Sequence, residues 1–317
     1  MPERIGKPRV GLRGLMLQLG WLAALVFTFA VTLGLDAVGH LNYMSSLLFW
    51  GIPIVYLAWT FRTITAGGQG RRRQALLAST GTIVVLGILL DFLLGHKTLR
   101  FPDCGKPDFG EYAYCFPAVG GFVPAEEILF YALGPVAMVL VYACADEVWL
   151  RLYNPFDDLL DAKLLQFSPA IAVTGAVALA ALLVVWRVNG NFPTYAAFLA
   201  AGALLPAMFL YRCVSGLTNW PAFAVTILYT LVTSICWEVT LAIPRGWWGY
   251  EPSGMLGLYI GAWSPPGSIF PIEAAIVWIT APFFTVLAYE FAKAFMHHPE
   301  RKHPQVALFG ANKASRI

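Results

Sequence analysis

The stretch GFVPAEEILFYALGP, residues 121–135, decides the fold, because two adjacent glutamates, Glu126 and Glu127, open a long apolar run directly behind a proline. The run continues past Pro135 and reaches the length of about 20 residues that a membrane-spanning helix needs. Carboxylates are among the most costly groups to place in hydrocarbon. Their position indicates either a helix cap at the interface or a functional site inside the protein.

The composition is that of an integral membrane protein. Hydrophobic residues make up 58% of the 317 residues and charged residues 12%, against about 45–50% and about 25% in soluble domains. The formal net charge of +3 does not indicate nucleic-acid binding, because the basic residues lie in loops and tails, where membrane topology accounts for them. The first apolar stretch is too long for a signal peptide, so we expect none.

Hydropathy predicts an all-α polytopic fold with eight membrane spans. The predicted spans are 14–35, 44–61, 75–95, 123–146, 168–187, 193–212, 221–243 and 271–295. Basic residues of the N-terminus, of the 62–73 and 147–167 loops, and of the tail from Lys293 fall on one side. That side is expected to be cytoplasmic and to hold both termini. We therefore expect a multi-pass protein of a bacterial plasma membrane.

A second stretch, SIFPIEAAIVWITAP at 268–282, aligns with the first without a gap at a shift of 147 residues. The aligned pairs include Pro124 and Pro271, Glu126 and Glu273, Asp91 and Glu238, and Tyr142 and Tyr289. Four spans in each half predict parallel topology about an axis along the membrane normal. We predict one transmembrane domain over 1–317, built of repeat one (about 14–146), a cytoplasmic linker (about 147–167), repeat two (about 168–296) and a basic cytoplasmic tail (297–317).

The carboxyl residues of the two halves are the candidates for acid–base chemistry. These candidates are Glu126, Glu127, Glu273, Asp91 and Glu238. Carboxyl groups that share one apolar cavity repel, so some hold a proton while others stay ionised, and a general acid and a general base are then present together. A water-exposed helix cap is the alternative for Glu126, and more so for Glu127, whose counterpart is Ala274.

Aromatic residues are dense around these acids, and seven are candidates for substrate binding. They are Phe130, Tyr131, Trp237, Trp247, Trp248, Tyr250 and Trp278. Aromatic faces stabilise desolvated cations by about 2 kcal/mol, although Trp and Tyr belts are also normal at membrane interfaces. Acids and aromatic faces in one apolar cavity suit alkene protonation, carbocation stabilisation and proton loss. We expect no cofactor, because the sequence has neither a G-x-G-x-x-G motif nor a Walker lysine loop.

A competing motif lies in NPFDDLLDAK, where Asp157, Asp158 and Asp161 have the D-D-x-x-D spacing that prenyl-diphosphate enzymes use to hold Mg²⁺. Clustered carboxylates suit hard divalent cations, but acids behind Asn154 also fit the start of a linker helix. A Mg-dependent membrane prenyltransferase is therefore the alternative enzyme. A non-enzymatic lipid or ion carrier built on the same repeats is the alternative outside enzymes.

Cys104 and Cys115 share the loop between Asp91 and Pro124, on the side expected to be non-cytoplasmic. A disulfide can form in such a compartment, and two free thiols are the alternative, because pairing is not readable from sequence.

These motifs resemble those of the membrane-embedded lycopene cyclases of the small-subunit type, which occur as heterodimers or fused tandem domains, and of related transmembrane terpene cyclases. The resemblance rests on PAEEILF at 124–130, PIEAAIV at 271–277 and RGWWGYEPSG at 245–254, and it covers about 91–146 and 238–296. The second motif lacks the second glutamate, and Glu238 stands where family members often have aspartate.

The resemblance implies a redox-neutral ring closure on lycopene or a related polyene, without a metal or cofactor. Its essential roles fall on Glu126, Glu127 and Glu273. In this hypothesis Glu126 or Glu127 protonates the terminal double bond, and Asp91, Glu238 or Glu273 removes the final proton, so Glu126→Gln is expected to abolish product formation. The expected partners are a long-chain polyene or polyprenyl lipid and the bilayer, with a homo-oligomer left open.

Overall fold

The computed structural model describes residues 12–65, 70–106, 112–151, 190–263 and 268–297, with isolated positions between 177 and 188. Within these residues, seven helices are long and apolar enough to cross a membrane. They correspond to the predicted spans other than 168–187, which lies outside the described residues apart from the isolated positions. The helical, multi-pass character of the chain is confirmed to this extent.

The helices follow the hydropathy pattern closely. They are α1 (Leu12–Ala37), α2 (Tyr43–Ser46), α3 (Leu48–Thr65), α4 (Gly70–Leu94), α5 (Ala125–Cys144), α6 (Thr194–Leu199), α7 (Leu205–Val214), α8 (Trp220–Trp237) and α9 (Ile272–His297). In the described part of the chain, three π-helical segments extend or join them: Ala145–Trp149 after α5, Ala200–Leu204 between α6 and α7, and Glu238–Ala242 after α8. Such wide turns are frequent at functional sites, and Glu238 opens one of them.

Among the described residues, three short antiparallel ribbons cover one end of the bundle. They pair β1 (Leu99–Arg100) with β4 (Gly249–Tyr250), β2 (Cys115–Ala118) with β3 (Gly121–Pro124), and β5 (Tyr259–Trp263) with β6 (Ser268–Pro271). Strands β3 and β6 each end at a proline, and α5 and α9 begin at the next residue. The pairing of β1 with β4 joins the segment after α4 to the segment after α8, which brings the ends of those two helices together.

Cys104 and Cys115 form a disulfide with 5.6 Å between their Cα atoms. The bridge ties the start of β2 to the segment that follows β1. Of the two states that the sequence left open for these cysteines, the structure has the bridged one.

Lys293 does not behave as a residue of the basic tail. It lies inside α9 with 4% of its surface exposed, and its Nζ lies 2.9 Å from Glu290 Oε1 and 3.7 Å from Asp146 Oδ2. Its charge is thus matched inside the bundle and carries no weight in orienting the loops. The cytoplasmic location of the termini stays a prediction that rests on the other basic residues.

Candidate functional site

An apolar cavity lies inside the bundle between α4, α5, α6 and α9. Its volume is about 160 Å³, whereas a single ordered water needs about 10–15 Å³. Along α5 the wall extends from Glu127 to Met138, and along α9 it extends from Val277 to Thr285. At 1.5 Å per residue these stretches are roughly 12–16 Å long, so the cavity suits an elongated apolar ligand.

Three of the five candidate acids lie in the wall of this cavity. Asp91 comes from α4, Glu127 from the first turn of α5, and Glu238 from the π-helical segment after α8. Each has at most 4% of its surface exposed. Glu127 lies close enough to Asp91 and to Glu238 for a negative charge on Glu127 to be repelled by each of them. Among the described residues, none that lines the cavity is basic.

The three acids differ in their hydrogen-bond partners. Glu127 Oε2 accepts from the Tyr43 hydroxyl at 2.5 Å. Glu238 accepts from the Tyr250 hydroxyl at 2.8 Å and from Trp278 Nε1 at 2.5 Å. Asp91 Oδ2 has no hydrogen-bond partner within the described part of the chain. Glu238 is thus held as an acceptor, whereas Asp91 is the acid with the least stabilisation of a negative charge.

Tyr250 lies in β4, outside the membrane-spanning helices, and is buried against Glu238. Burial, and next the charge of Glu238, raise the pKa of Tyr250 well above its usual range. Its hydroxyl therefore remains a hydrogen-bond donor to Glu238 throughout the physiological pH range.

Gly95 makes room for the Asp91 carboxyl group. A Cβ atom on Gly95 would lie 2.5 Å from Asp91 Oδ1, which is far inside van der Waals contact. Any larger residue at this position would push the carboxyl group out of its place in the cavity wall.

Glu126 and Glu273 are not among the residues that line the cavity, although both are completely buried. Glu126 Oε1 accepts from the backbone N–H of Ala113 at 2.7 Å, and Glu273 Oε1 accepts from that of Leu256 at 2.5 Å. Each glutamate thus anchors the segment in front of a hairpin to the first turn of the following helix. Neither therefore shares the wall of this cavity with Asp91, Glu127 and Glu238, and their catalytic role stays a prediction.

Burial also decides against the water-exposed cap for the adjacent glutamates. Glu126 is 0% exposed and Glu127 is 4% exposed. Neighbouring residues of a helix point about 100° apart, so Glu127 reaches the cavity while Glu126 turns to the hairpin.

The aromatic candidates divide in a similar way. Five of the seven line the cavity, namely Phe130, Tyr131, Trp248, Tyr250 and Trp278. Trp237 stacks on Phe130 with 5.1 Å between the ring centres and donates its indole N–H to Ser46. Trp247 stacks on Tyr43 at 5.9 Å, and its carbonyl accepts from the Tyr112 hydroxyl. These two tryptophans therefore pack against residues of the site without lining the cavity themselves.

The sequence reasoning missed two tyrosines of the site. Tyr195 of α6 lines the cavity, and Tyr43 holds Glu127. Both lie at the start of a predicted span, where an aromatic residue is ordinary. Only their contacts with residues far away in the chain distinguish them.

A second group, largely buried, which we call the charged cluster, lies at the other end of the bundle. It consists of Arg72, Asp146, Glu147, Glu290 and Lys293. Arg72 pairs with Glu147, and Lys293 lies between Glu290 and Asp146. Asn219 Nδ2 donates to Asp146 Oδ1 at 2.9 Å. The available sequence signals were the Glu290–Lys293 spacing and the acids that end the predicted span at 123–146.

Asp157, Asp158 and Asp161 lie outside the residues that the structure describes. Within the ranges that the structure does describe, no group of three or more His, Cys, Asp or Glu side chains is placed to hold a metal ion.

No family model matches this chain, and no curated protein and no solved structure match it either.

Proposed function

We propose that this protein is an intramembrane terpenoid cyclase that closes rings on an acyclic polyene, with lycopene as the expected substrate and a β-ring as the expected product. The observation that carries the proposal is the presence of Asp91, Glu127 and Glu238 in the wall of one apolar, aromatic-lined cavity. Carboxyl residues without basic partners in such a place are functional sites by default.

The proton donor in this proposal is the pair formed by Asp91 and Glu127. Their charges repel in a cavity without basic residues among its described lining, so the pair holds a proton. Transfer of that proton to the terminal isopropylidene double bond forms a C–H bond and leaves a tertiary carbocation. Tyr43 fixes the orientation of Glu127 through its hydroxyl.

The carbocation is attacked by the neighbouring double bond, which forms the C–C bond of the ring and moves the positive charge into it. The faces of Phe130, Trp248 and Trp278 line the cavity in which this occurs. Desolvated aromatic faces stabilise a cation by about 2 kcal/mol each. The apolar wall keeps water away, which prevents hydration of the cation.

Glu238 is the base that ends the reaction. Its two hydrogen-bond donors, Tyr250 and Trp278, favour the ionised form. Removal of a ring proton by Glu238 gives the cyclohexene, and its transfer back to the Asp91–Glu127 pair completes the cycle. The product is an isomer of the substrate, so no oxidant, reductant or metal is needed.

We also propose that the chain consists of two repeats in parallel topology, with the span at 168–187 as the first of repeat two. Strands β3 and β6, and the first residues of α5 and α9, are each separated by 147 residues. Glu126 and Glu273 make the same type of contact with a backbone N–H. These equal spacings and contacts support the proposal, of which the linker at about 147–167 and the tail at 297–317 are part.

The test is expression of the full chain in a lycopene-accumulating host, with the extracted pigments separated by chromatography and weighed by mass spectrometry. We expect a cyclic product of unchanged mass, and none from the double variant Asp91→Asn/Glu127→Gln. A product that has gained one water would indicate a hydratase with the same first step. Unchanged pigment would count against the cyclase, and a requirement for Mg²⁺ and a diphosphate substrate would favour the prenyltransferase. Transport of an unmodified lipid into vesicles would favour the carrier.

A further inference from the structure

One glycine in the wall of the cavity is not required by the packing of the helices. Gly134 lies in α5, where it is buried and lines the cavity. A Cβ atom on Gly134 would meet no atom of the described residues within 4 Å, its own helix backbone and chain neighbours aside. Glycine destabilises a helix by about 1 kcal/mol relative to alanine. Alanine would therefore fit here without a clash and with a gain in stability.

Two other glycines of the wall have a clear packing reason. A Cβ atom on Gly87 would lie 2.8 Å from the ring of Tyr131, and one on Gly95 would lie 2.5 Å from the carboxyl group of Asp91. Only glycine fits at these two positions. At Gly134, by contrast, the free space is part of the cavity, and the absence of a side chain keeps that space open.

Gly134 lies at a defined depth below the acids. It follows Glu127 by seven residues of α5, which is two helical turns, so the two residues share one face of the helix and lie about 10 Å apart along its axis. Met138, one turn further along, also lines the cavity. A ligand that extends from Glu127 to Met138 therefore passes directly in front of Gly134.

This depth matches the repeat of an isoprenoid chain. Each isoprene unit adds about four bonds to the main chain, and an extended chain advances by about 1.2 Å per bond, so methyl branches follow one another at roughly 5 Å. A chain with its terminal double bond beside Glu127 thus places the methyl branch of its third unit about 10 Å away, level with Gly134. The space there accepts a methyl group, because carbon atoms in contact are about 3.5–4.0 Å apart.

Straight acyl chains are the competitors that such a cavity meets in a bilayer. They are as apolar as an isoprenoid chain, so apolarity alone does not exclude them. An unbranched chain leaves the space at Gly134 empty, and the atoms around an empty space lose their contacts on that side. A single carbon group in an apolar pocket changes affinity by about tenfold or more. The space at Gly134 therefore distinguishes the two kinds of chain by shape.

We propose that Gly134 forms the binding pocket for a methyl branch, and that the cavity thereby selects acyclic isoprenoid chains of three or more units over straight acyl chains. The inference rests on the proposed function where it takes the selected chain to be the substrate of ring closure. The selection itself requires only binding.

The test compares two alcohols whose main chains are equally long: farnesol, which carries methyl branches, and 1-dodecanol, which carries none. Equilibrium binding of each tritium-labelled alcohol to the full-length protein in detergent micelles gives the ratio of their affinities. Partition of the alcohols into the micelles affects every variant equally and cancels when the ratios are compared. Gly134→Ala fills the space with a methyl group of the protein. We expect it to lower the ratio of farnesol to dodecanol affinity about tenfold relative to the wild type.

Gly81→Ala is the matched control. Gly81 is an exposed residue of α4 that does not line the cavity, and a Cβ atom on it would also meet no described residue within 4 Å. Its affinity ratio should equal that of the wild type. Gly134→Leu fills more of the cavity and should bind neither alcohol. Because alanine and leucine are better helix formers than glycine, these variants should stay folded, which thermal unfolding checks.

Two results would overturn the selection. One is an affinity ratio in Gly134→Ala equal to that of the wild type. The other is full binding of both alcohols by Gly134→Leu, since the alcohols would then bind outside the cavity.

The same titrations separate this inference from the cyclase proposal, because they involve no reaction. A wild type that makes no cyclic product from lycopene, but whose affinity ratio falls in Gly134→Ala, would refute the cyclase and retain the selection. A wild type that closes rings, with a ratio that Gly134→Ala leaves unchanged, would refute the selection and retain the cyclase.

Discussion

The cavity and the charged cluster both bury three carboxyl residues, but they neutralise them in different ways. Glu127 in the cavity and Asp146 in the cluster are 19 positions apart on α5 and its π-helical extension, which corresponds to about 28 Å. The cluster supplies Arg72 and Lys293 as cations. The cavity supplies hydroxyl and indole donors to Glu127 and Glu238 instead.

This difference is the reason why we assign the proposed chemistry to the cavity and a structural role to the charged cluster. Removing a carboxylate from water costs several kcal/mol, and a well-placed cation offsets most of this. Where no cation offsets this cost, the carboxyl group tends to bind a proton instead of carrying a charge. In the proposed cyclase, the same residue type is half of an ion pair at one end and the proton donor to an alkene at the other.

The largest expected effect is the loss of catalysis when a cavity acid is neutralised. Glu127→Gln and Asp91→Asn should each lower product formation by about 10²–10⁴-fold, the usual contribution of a general acid. Glu126→Gln should cost far less, because its amide oxygen can still accept from the backbone N–H of Ala113. Product per unit of inserted protein, measured by chromatography, compares the three variants.

The comparison between Glu126 and Glu127 decides between two interpretations. Equal losses in Glu126→Gln and Glu127→Gln, with normal thermal unfolding of both, would contradict the anchoring role of Glu126. They would also support Glu126 as the proton donor, one of the two residues that the sequence analysis names for this role. Glu126→Ala should instead lower the unfolding temperature, because the N–H of Ala113 then loses its acceptor.

In the charged cluster the main expected effect is on stability. Lys293→Met leaves Asp146 and Glu290 without their shared cation, and breaking a buried pair in this way costs about 3–5 kcal/mol of unfolding free energy. Adding Glu290→Gln should restore part of the loss. Denaturant unfolding in detergent micelles measures the loss of unfolding free energy. The control is Lys106→Met, because Lys106 forms an exposed pair with Asp103. A loss no larger than that of the control would mean that the cluster contributes no stability.

The sequence predicted the spans well because the bilayer dictates their length and apolar character. It could not predict the rotation of each helix about its own axis, and this is what separates Glu126 from Glu127. The glutamate that recurs in both halves, Glu126 with Glu273, is the one that anchors a hairpin. Glu127, which has Ala274 as its counterpart, is the one that reaches the cavity. Recurrence identified a shared structural contact.

The charged cluster was missed for a related reason. Lys293 was counted with the basic tail, because its partner Asp146 lies 147 positions earlier in the chain, and only the packing of α9 against α5 brings them together. Asp91 and Glu238 were found because both are isolated acids in long apolar runs. A lone charge in a span is visible in a sequence, whereas a pairing between distant spans is not.

A smaller effect is expected from the hydrogen bonds that hold the base. Trp278→Phe keeps an aromatic ring in the wall but removes the N–H that Glu238 accepts at 2.5 Å. A hydrogen bond to a charged group contributes about 1.5–3 kcal/mol, so turnover should fall roughly tenfold or more. Trp237→Phe is the control, because its N–H donates to Ser46 at 3.2 Å and it does not line the cavity. Equal turnover in the two variants would argue against Glu238 as the base.

The smallest effect is expected at an exposed ion pair outside the membrane spans. It contrasts with the buried ion pairs of the charged cluster. Arg100 of β1 donates to Glu251, just after β4, and their side chains are 54% and 22% exposed. The hydrogen bond from Arg100 holds the pKa of Glu251 below its usual range. Stability from this pair is therefore present above the pKa of the unfolded chain and is lost as the pH falls through the lower pKa of the folded state. Exposed pairs contribute about 0.2–1 kcal/mol.

Glu251→Gln should thus lower the unfolding temperature only slightly at pH 7, and the difference from the wild type should vanish under acidic conditions. Thermal unfolding in detergent at a series of pH values, at low and high salt, measures this, since salt also screens an exposed pair. An effect as large as that of Lys293→Met would mean that burial is not what separates the two pairs. The contrast between paired and unpaired carboxyl groups would then have to rest on geometry rather than on removal from water.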